Sequence, residues 1–175
     1  MTKKIFMVIA QEGFRDEELL EPKEILENEG FEVITASPKG GFCQGMKGLH
    51  FKADIAIKDI DLDNSTVALT LVGGINSPSL LDVSELKEKL VEAIKKKLVI
   101  GAICLSPMVL AGFGLINDMS ATVYPTDESL DMLKNNNVLY IPENVVVDEW
   151  LVTGNGPSSA TAYGEALVEL LKSRH

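Results

Sequence analysis

The sequence has few of the residues that build disulfide scaffolds or metal centres. Its 175 residues include two cysteines, Cys43 and Cys104, and two histidines, His50 and His175. A disulfide scaffold needs more cysteines, so we expect a reducing, cytoplasmic setting. The same scarcity argues against a dedicated zinc site, and we expect neither a metal nor a cofactor.

Long apolar runs and clusters of positive charge are missing as well. No apolar run approaches the roughly 20 residues that cross a bilayer, and residues 2–10 carry no signal-peptide cleavage pattern. The formal net charge is -10, and the basic residues are scattered. We therefore expect neither nucleic acid nor a membrane as a partner.

Strand-like and helix-like segments alternate along the chain, and its length predicts one domain over residues 1–175. Repeated β-α units of this kind predict an α/β protein whose mostly parallel sheet is covered by helices on both faces. The predicted strands are residues 5–10, 31–36, 67–72 and 98–103, with a hairpin over 145–153. Five helices are predicted. The first ends at Gly30, the second covers 82–97 with a capping box at Asp82 and Glu85, and the third begins at Pro107. The fourth runs from Thr126 to Asn135, and the fifth starts near Pro157. Residues 37–48 are predicted to be a loop.

Three of these strands lead into segments that can carry chemistry. Ligands of such folds bind beyond the carboxyl ends of the strands. The loops after Ala10, Val72 and Ile103 are therefore expected to converge, and they contribute residues 12–18, 73–74 and Cys104.

Cys104 ends a buried strand directly before a helix. A nucleophile on a tight turn needs small residues two positions before and after it, and Ala102 and Ser106 meet that need. Pro107 suits the first turn of the following helix. At this corner we expect an exposed sulfur whose thiolate is favoured by the helix dipole. The alternative is an inert core cysteine.

The other converging segments are ambiguous taken singly. Residues 12–21 are rich in carboxylates, and composition does not separate Glu18 from Glu17 or Asp16. Gly73 and Gly74 let backbone amides approach a developing oxyanion, or they form an ordinary turn. His50 is interpreted as a surface histidine and His175 is terminal, so the sequence offers no clear histidine base.

In combination, these segments resemble the ThiJ/PfpI (DJ) superfamily. The resemblance rests on residues 101–107 (GAICLSP), 13–22, 71–74 (LVGG), 143–148 and 156–160. It implies a flavodoxin-like three-layer α/β/α sandwich, similar to class I glutamine amidotransferases, that is usually dimeric.

Residue by residue, the resemblance implies Cys104 as nucleophile and Glu18 as its carboxylic partner, hydrogen-bonded to the sulfur. It also implies an oxyanion hole formed by the backbone amides of Gly74 and Leu105. The protease-like branch has His where Leu105 stands, so the elbow is more similar to the branch of the parkinsonism-associated protein. An arginine often found before the Gly-Pro of the last helix is replaced by Asn155.

The chemistry expected from this site is that of a cofactor-free cysteine enzyme acting on small reactive carbonyls, such as methylglyoxal to lactate. Glu18 moves the proton, with its pKa raised by burial beside the sulfur. One alternative is a redox sensor or stress chaperone that works through oxidation of Cys104. Another is an amidase or peptidase, which Leu105 disfavours.

Overall fold

The computed structural model describes residues 1–174, in which five α-helices surround a central sheet. The strands are β1 Lys4–Val8, β2 Glu12–Phe14, β3 Glu32–Ser37, β4 Gly41–Gly45, β5 His50–Ala53, β6 Ile55–Ala56, β7 Thr66–Leu71, β8 Val99–Ile103, β9 Ser120–Ala121, β10 Leu139–Tyr140, β11 Val145–Asp148 and β12 Leu151–Gly154. The helices are α1 Asp16–Asn28, α2 Ser84–Lys95, α3 Pro107–Gly112, α4 Asp127–Asn135 and α5 Ala160–Ser173.

The central sheet has seven strands in the order β11-β12-β8-β7-β1-β3-β6. Every neighbouring pair in it is parallel except β11 and β12. This confirms the predicted mostly parallel sheet. Because β1, β7 and β8 are adjacent and parallel, the loops that follow them leave from the same edge of the sheet.

Helices cover both faces of this sheet, and each face has its own apolar core. Side chains of β1 alternate between the two, with Phe6 in one core and Ile5 and Met7 in the other. The first core packs against α2, α3 and α4, and the second against α1 and α5. The predicted three-layer sandwich is thereby confirmed.

The prediction of a loop over residues 37–48 is wrong, because β4 lies inside it. β4 alternates exposed and buried side chains, with Phe42 outside and Cys43 fully buried. It pairs with β5 in an antiparallel hairpin and with β2 in parallel. The glycines that suggest a loop here flank a strand only a few residues long.

The predicted start of the second helix is also wrong. Asp82 ends a 3₁₀ turn, Ser77–Asp82, and α2 begins at Ser84 with no side-chain cap. A true capping box stands instead at α4. There Thr126 Oγ1 accepts from the Ser129 amide at 3.0 Å and Ser129 Oγ accepts from the Thr126 amide at 2.9 Å.

No helix in residues 1–174 combines the length and the apolar character that crossing a membrane requires.

Candidate active site

Cys104 lies on a strained turn between β8 and α3. Its backbone has a positive φ (φ 64) and so falls in the left-handed region. Residues other than glycine adopt that region at a cost of about 1–3 kcal/mol. Two backbone hydrogen bonds hold the turn: the Cys104 amide donates to the Gly154 carbonyl at 2.9 Å, and its carbonyl accepts from the Tyr124 amide at 2.7 Å. The predicted sharp turn is confirmed, but the expected exposed sulfur is not, since Cys104 is only 7% exposed.

Ser106 secures the same turn from below. Its fully buried hydroxyl accepts from the Ile103 amide at 2.8 Å, and its one proton lies within donating distance of the Ile103 carbonyl at 2.8 Å and the Leu71 carbonyl at 3.0 Å. It therefore joins the ends of β7 and β8. A small residue is required at this position, and serine adds hydrogen bonds that glycine lacks.

The three neighbouring carboxylates at the start of α1 face three different partners. Asp16 accepts from the amides of Lys47 and Leu49 at 3.2 and 2.9 Å, which ties the β4–β5 turn to α1. Glu17 pairs with Arg15 at 2.5 Å. Glu18 points toward Cys104 and is the most buried of the three, at 1% exposed.

The Glu18 carboxyl faces the Cys104 thiol and the Gly73 amide. Neither contact reaches full hydrogen-bond geometry, and both carboxyl oxygens are buried without a partner among residues 1–174. Burial raises the pKa of Glu18 to about 7, although the contact with Cys104 opposes the shift. Glu18 therefore changes its protonation near neutral pH.

Burial and the nearby Glu18 charge raise the pKa of Cys104 to about 12. The backbone amides of Gly74 and Leu105 act in the opposite direction but do not outweigh them. The Leu105 amide before α3 therefore favours the thiolate, as expected of a helix start, but burial and the Glu18 charge act more strongly in the opposite direction. Helix α3 has only six residues, and the sulfur starts as a thiol beside a carboxyl that can take its proton.

The backbone at Gly73 and Gly74 is packed so closely against its neighbours that a side chain at either position would clash with them. A Cβ on Gly73 would lie 2.5 Å from both Cys104 Cβ and Glu18 Oε1. Gly74 has a positive φ (φ 125), which glycine adopts readily. The close approach turns the amides of Gly74 and Leu105 toward the sulfur. These are the two donors that sequence analysis places at an oxyanion.

A cavity of about 370 Å³ opens over the sulfur. Its lining includes Cys104, Gly74 and Leu105 together with residues that sequence analysis missed, namely Arg15, Met46, Ile75, Tyr124, Thr126 and Pro157. One signal was available for Arg15, since it is the only basic residue in the acidic segment 12–21. The others come from loops whose meeting depends on the tertiary fold.

The structure thus brings together Cys104, Glu18, Gly74 and Leu105. His50 lies elsewhere, exposed on β5 with its ring 5.4 Å from that of Phe42, and His175 lies outside the described residues. Cys43 is also remote, since it is buried in β4 and contacts the Gln11 amide nitrogen at 3.5 Å. Within residues 1–174, no cluster of three or more His, Cys, Asp or Glu side chains could hold a metal.

A mostly parallel α/β sandwich with a cysteine on the turn between β8 and α3 defines a class of α/β proteins with a candidate cysteine nucleophile. Comparison with known families leads to the same class. Residues 3–170 match the model of the DJ-1/PfpI family. The chain therefore belongs to the DJ-1/PfpI family, which confirms the resemblance found in the sequence.

Individual relatives span nearly the whole chain. An uncharacterized protein of Methanocaldococcus jannaschii is 40% identical over 97% of this chain and 82% of its own length. A Pyrococcus furiosus protein named deglycase PfpI is 34% identical over 97% and 99%. The glutathione-independent glyoxalase DJR-1.2 of Caenorhabditis elegans is 25% identical over 97% and 89%. Among solved structures, a ThiJ/PfpI domain protein of Brachyspira murdochii superimposes with a TM-score of 0.92 at 26% identity, covering 98% of each chain.

Proposed function

We propose that this protein is a glyoxalase- or deglycase-type enzyme that converts small 2-oxoaldehydes such as methylglyoxal to 2-hydroxy acids. The observation that carries the proposal is the buried pair of Cys104 and Glu18 beneath a cavity, with the Gly74 and Leu105 amides turned toward the sulfur. The names of the similar P. furiosus and C. elegans proteins, a deglycase and a glyoxalase, support it.

The reaction begins with addition of sulfur to the aldehyde. Above about pH 7 the Glu18 carboxylate accepts the thiol proton as the sulfur bonds to the aldehyde carbon. The amides of Gly74 and Leu105 stabilise the negative charge on the aldehyde oxygen. Glu18 then returns the proton to that oxygen, which leaves a neutral hemithioacetal.

The second stage is an internal oxidation and reduction. Glu18 removes the hydrogen from the former aldehyde carbon as a proton and delivers it to the neighbouring ketone carbon, while the proton of the hemithioacetal hydroxyl moves to the ketone oxygen. The first carbon becomes a thioester and the second becomes an alcohol, so no external oxidant is needed. Water cleaves the thioester, which releases lactate from methylglyoxal and restores the Cys104 thiol.

Two features of the site favour this chemistry over the alternatives. Oxidant sensing needs a thiolate, whereas burial and the Glu18 charge raise the pKa of the Cys104 thiol to about 12. Cysteine peptidases of the Cys-His type need an imidazole beside the sulfur. No histidine within residues 1–174 lines the cavity.

Lactate formation from methylglyoxal tests the proposal. The wild type should produce lactate, and Cys104→Ser should reduce the rate to the uncatalysed background. Glu18→Gln should lower kcat by about 100-fold or more, because it removes the group that moves the proton.

Cys43→Ala is the matched control, since it removes the chain's other thiol from a position outside the cavity. It should retain the wild-type rate. Equal lactate formation by the wild type and Cys104→Ser would overturn the proposal. Selective addition of oxygen to Cys104 by mild peroxide, detected by intact mass in a protein that forms no lactate, would favour the sensor alternative.

A further inference from the structure

Arg15 is the one charged side chain among the described residues that line the cavity over Cys104. The rest of the lining is apolar or neutral, with Ile75 and Leu105 among the apolar members and Thr126 among the polar ones. A single cation in such a wall provides one fixed point for a substrate that carries a negative charge.

One edge of the Arg15 guanidinium is free to bind. Nε donates to Glu17 at 2.5 Å, and no other guanidinium donor reaches a hydrogen-bond acceptor within residues 1–174. The backbone holds the residue in place, since the Arg15 amide donates to the Gly73 carbonyl at 2.9 Å. The Nη groups therefore remain available for the two parallel hydrogen bonds that a carboxylate accepts.

No second cation lines the cavity among the described residues to compete with Arg15. Glu17 stays beside Arg15 and partly neutralises it. This arrangement suits a singly charged planar carboxylate better than a doubly charged phosphate, which the neighbouring carboxylate would repel.

The cavity is also larger than methylglyoxal requires. Its volume is about 370 Å³. One water-sized group occupies roughly 30 Å³, so the cavity holds on the order of a dozen non-hydrogen atoms. Methylglyoxal, a three-carbon molecule, leaves most of that space unfilled. A longer 2-oxoaldehyde fits the volume and can extend from the sulfur toward Arg15.

We propose that Arg15 binds the carboxylate of an acidic 2-oxoaldehyde whose aldehyde end reacts with Cys104. This inference rests on the proposed function and specifies its substrate class. A molecule such as 4,5-dioxopentanoate follows the same balanced steps: the thiol adds to the aldehyde, the hydrogen moves to the ketone carbon, and water cleaves the thioester. The product is 2-hydroxypentanedioate, and the distal carboxylate does not react.

Turnover is tested by comparing kcat/KM for 4,5-dioxopentanoate and methylglyoxal in the wild type, Arg15→Gln, Arg15→Lys and Glu17→Gln. The wild type should prefer the acidic substrate. Arg15→Gln should lower the ratio of kcat/KM for 4,5-dioxopentanoate to kcat/KM for methylglyoxal by about 10- to 100-fold, because a charged hydrogen-bonded contact is lost. Most of the change should come from a higher KM for 4,5-dioxopentanoate. Arg15→Lys should restore part of the ratio, and Glu17→Gln should raise it.

Binding without turnover separates this inference from the proposed function. 4-Oxopentanoate keeps the carboxylate and the ketone but lacks the reactive aldehyde, and 2-pentanone is its uncharged analogue. Titration calorimetry should show that the wild type binds 4-oxopentanoate more tightly than 2-pentanone, and that Arg15→Gln removes the difference.

Each outcome has a defined consequence. If lactate forms but neither aldehyde is preferred, or if Arg15→Gln leaves 4-oxopentanoate binding unchanged, the carboxylate-binding role of Arg15 is overturned and the proposed function stands. Absence of turnover of both aldehydes, with Arg15-dependent binding of 4-oxopentanoate, overturns the proposed function and leaves the carboxylate site standing.

Discussion

At the scale of single residues, three adjacent carboxylates differ because their surroundings differ. Asp16 accepts hydrogen bonds from two loop amides, Glu17 pairs with Arg15 near solvent, and Glu18 is buried against a thiol. Burial raises the pKa of Glu18 toward neutrality, whereas the ion pair with Arg15 lowers the pKa of Glu17. Glu18 is therefore the carboxylate suited to proton transfer, because its surroundings bring its pKa close to neutral pH.

Glu18 should also make stability depend on pH. Its pKa of about 7 in the folded protein exceeds the ordinary 4.5, so the folded state binds the proton more tightly. The contribution of Glu18 to the free energy of unfolding is therefore greatest below about pH 4.5 and falls by about 3 kcal/mol as the pH rises through 7. Denaturant unfolding at pH 5 and pH 8 should show that Glu18→Gln gains stability relative to the wild type at the higher pH.

Glu17→Gln is the matched control one position away. Arg15 lowers the pKa of Glu17, so that carboxylate stabilises the fold above its ordinary pKa and its loss cannot mimic the Glu18 effect. A difference between Glu18→Gln and the wild type that stays constant from pH 5 to pH 8 would contradict the raised pKa.

At the scale of elements, the site depends on how β7, β8 and α3 are joined. The strained φ of Cys104 persists because hydrogen bonds on both sides of the turn hold it. Ser106 supplies the link between strands, and its hydroxyl is completely buried. The conformation of the turn therefore depends on the ends of β7 and β8 and on the start of α3.

Ser106→Ala should lower the free energy of unfolding by about 2–3 kcal/mol, because buried groups left without a partner are costly. The substitution removes the acceptor of the Ile103 amide and the hydroxyl proton that the Ile103 and Leu71 carbonyls share. Urea unfolding monitored by circular dichroism measures the change.

Ser79→Ala is the matched control for Ser106→Ala. The Ser79 hydroxyl also bonds one carbonyl, that of Asn76, but near solvent. Removing a hydroxyl at such a surface position should lower the free energy of unfolding by only about 0.5 kcal/mol or less. Equal costs for the two variants would show that the Ser106 contacts do not hold the turn.

At the scale of the whole molecule, two apolar cores share one sheet. Leu19 on α1 is fully buried in one of them, and Trp150, the only tryptophan, packs against the other. Because every strand of the sheet's centre contributes to both cores, loss of packing on one face should weaken packing on the other.

The homodimer and the cytoplasmic location stay predictions from the sequence.

Leu19→Ala should lower the free energy of unfolding by about 2–5 kcal/mol. Trp150 fluorescence and far-UV circular dichroism should report the same shifted midpoint, although Trp150 lies on the opposite face. Leu20, at the next position, is 44% exposed. Leu20→Ala should therefore change stability by only about 0.5 kcal/mol or less. A fluorescence midpoint that Leu19→Ala leaves in place would mean that the two layers unfold separately.

The parts of the fold that sequence analysis predicted are those set by local patterns. The four core strands have continuous apolar runs, Gly30 follows the end of α1 with a positive φ, and Thr126 caps α4. Strand β4 was missed because its pattern is short and flanked by glycines. The cap at Asp82 was misplaced because a 3₁₀ turn took that residue, which local sequence does not reveal.

For the candidate site, sequence by itself determined that a cysteine ends a buried strand before Pro107, that two glycines end a neighbouring strand, and that carboxylates open α1. Composition did not separate Glu18 from its neighbours; the family resemblance singled it out, and the tertiary structure places it beside the sulfur. Only the tertiary structure decided that burial raises the pKa of the Cys104 thiol and that Arg15 lines the cavity. The physical reason is that turns and strands follow from neighbouring residues. Burial, and therefore pKa and cavity lining, depends on segments far apart in the chain that meet only when the sheet forms.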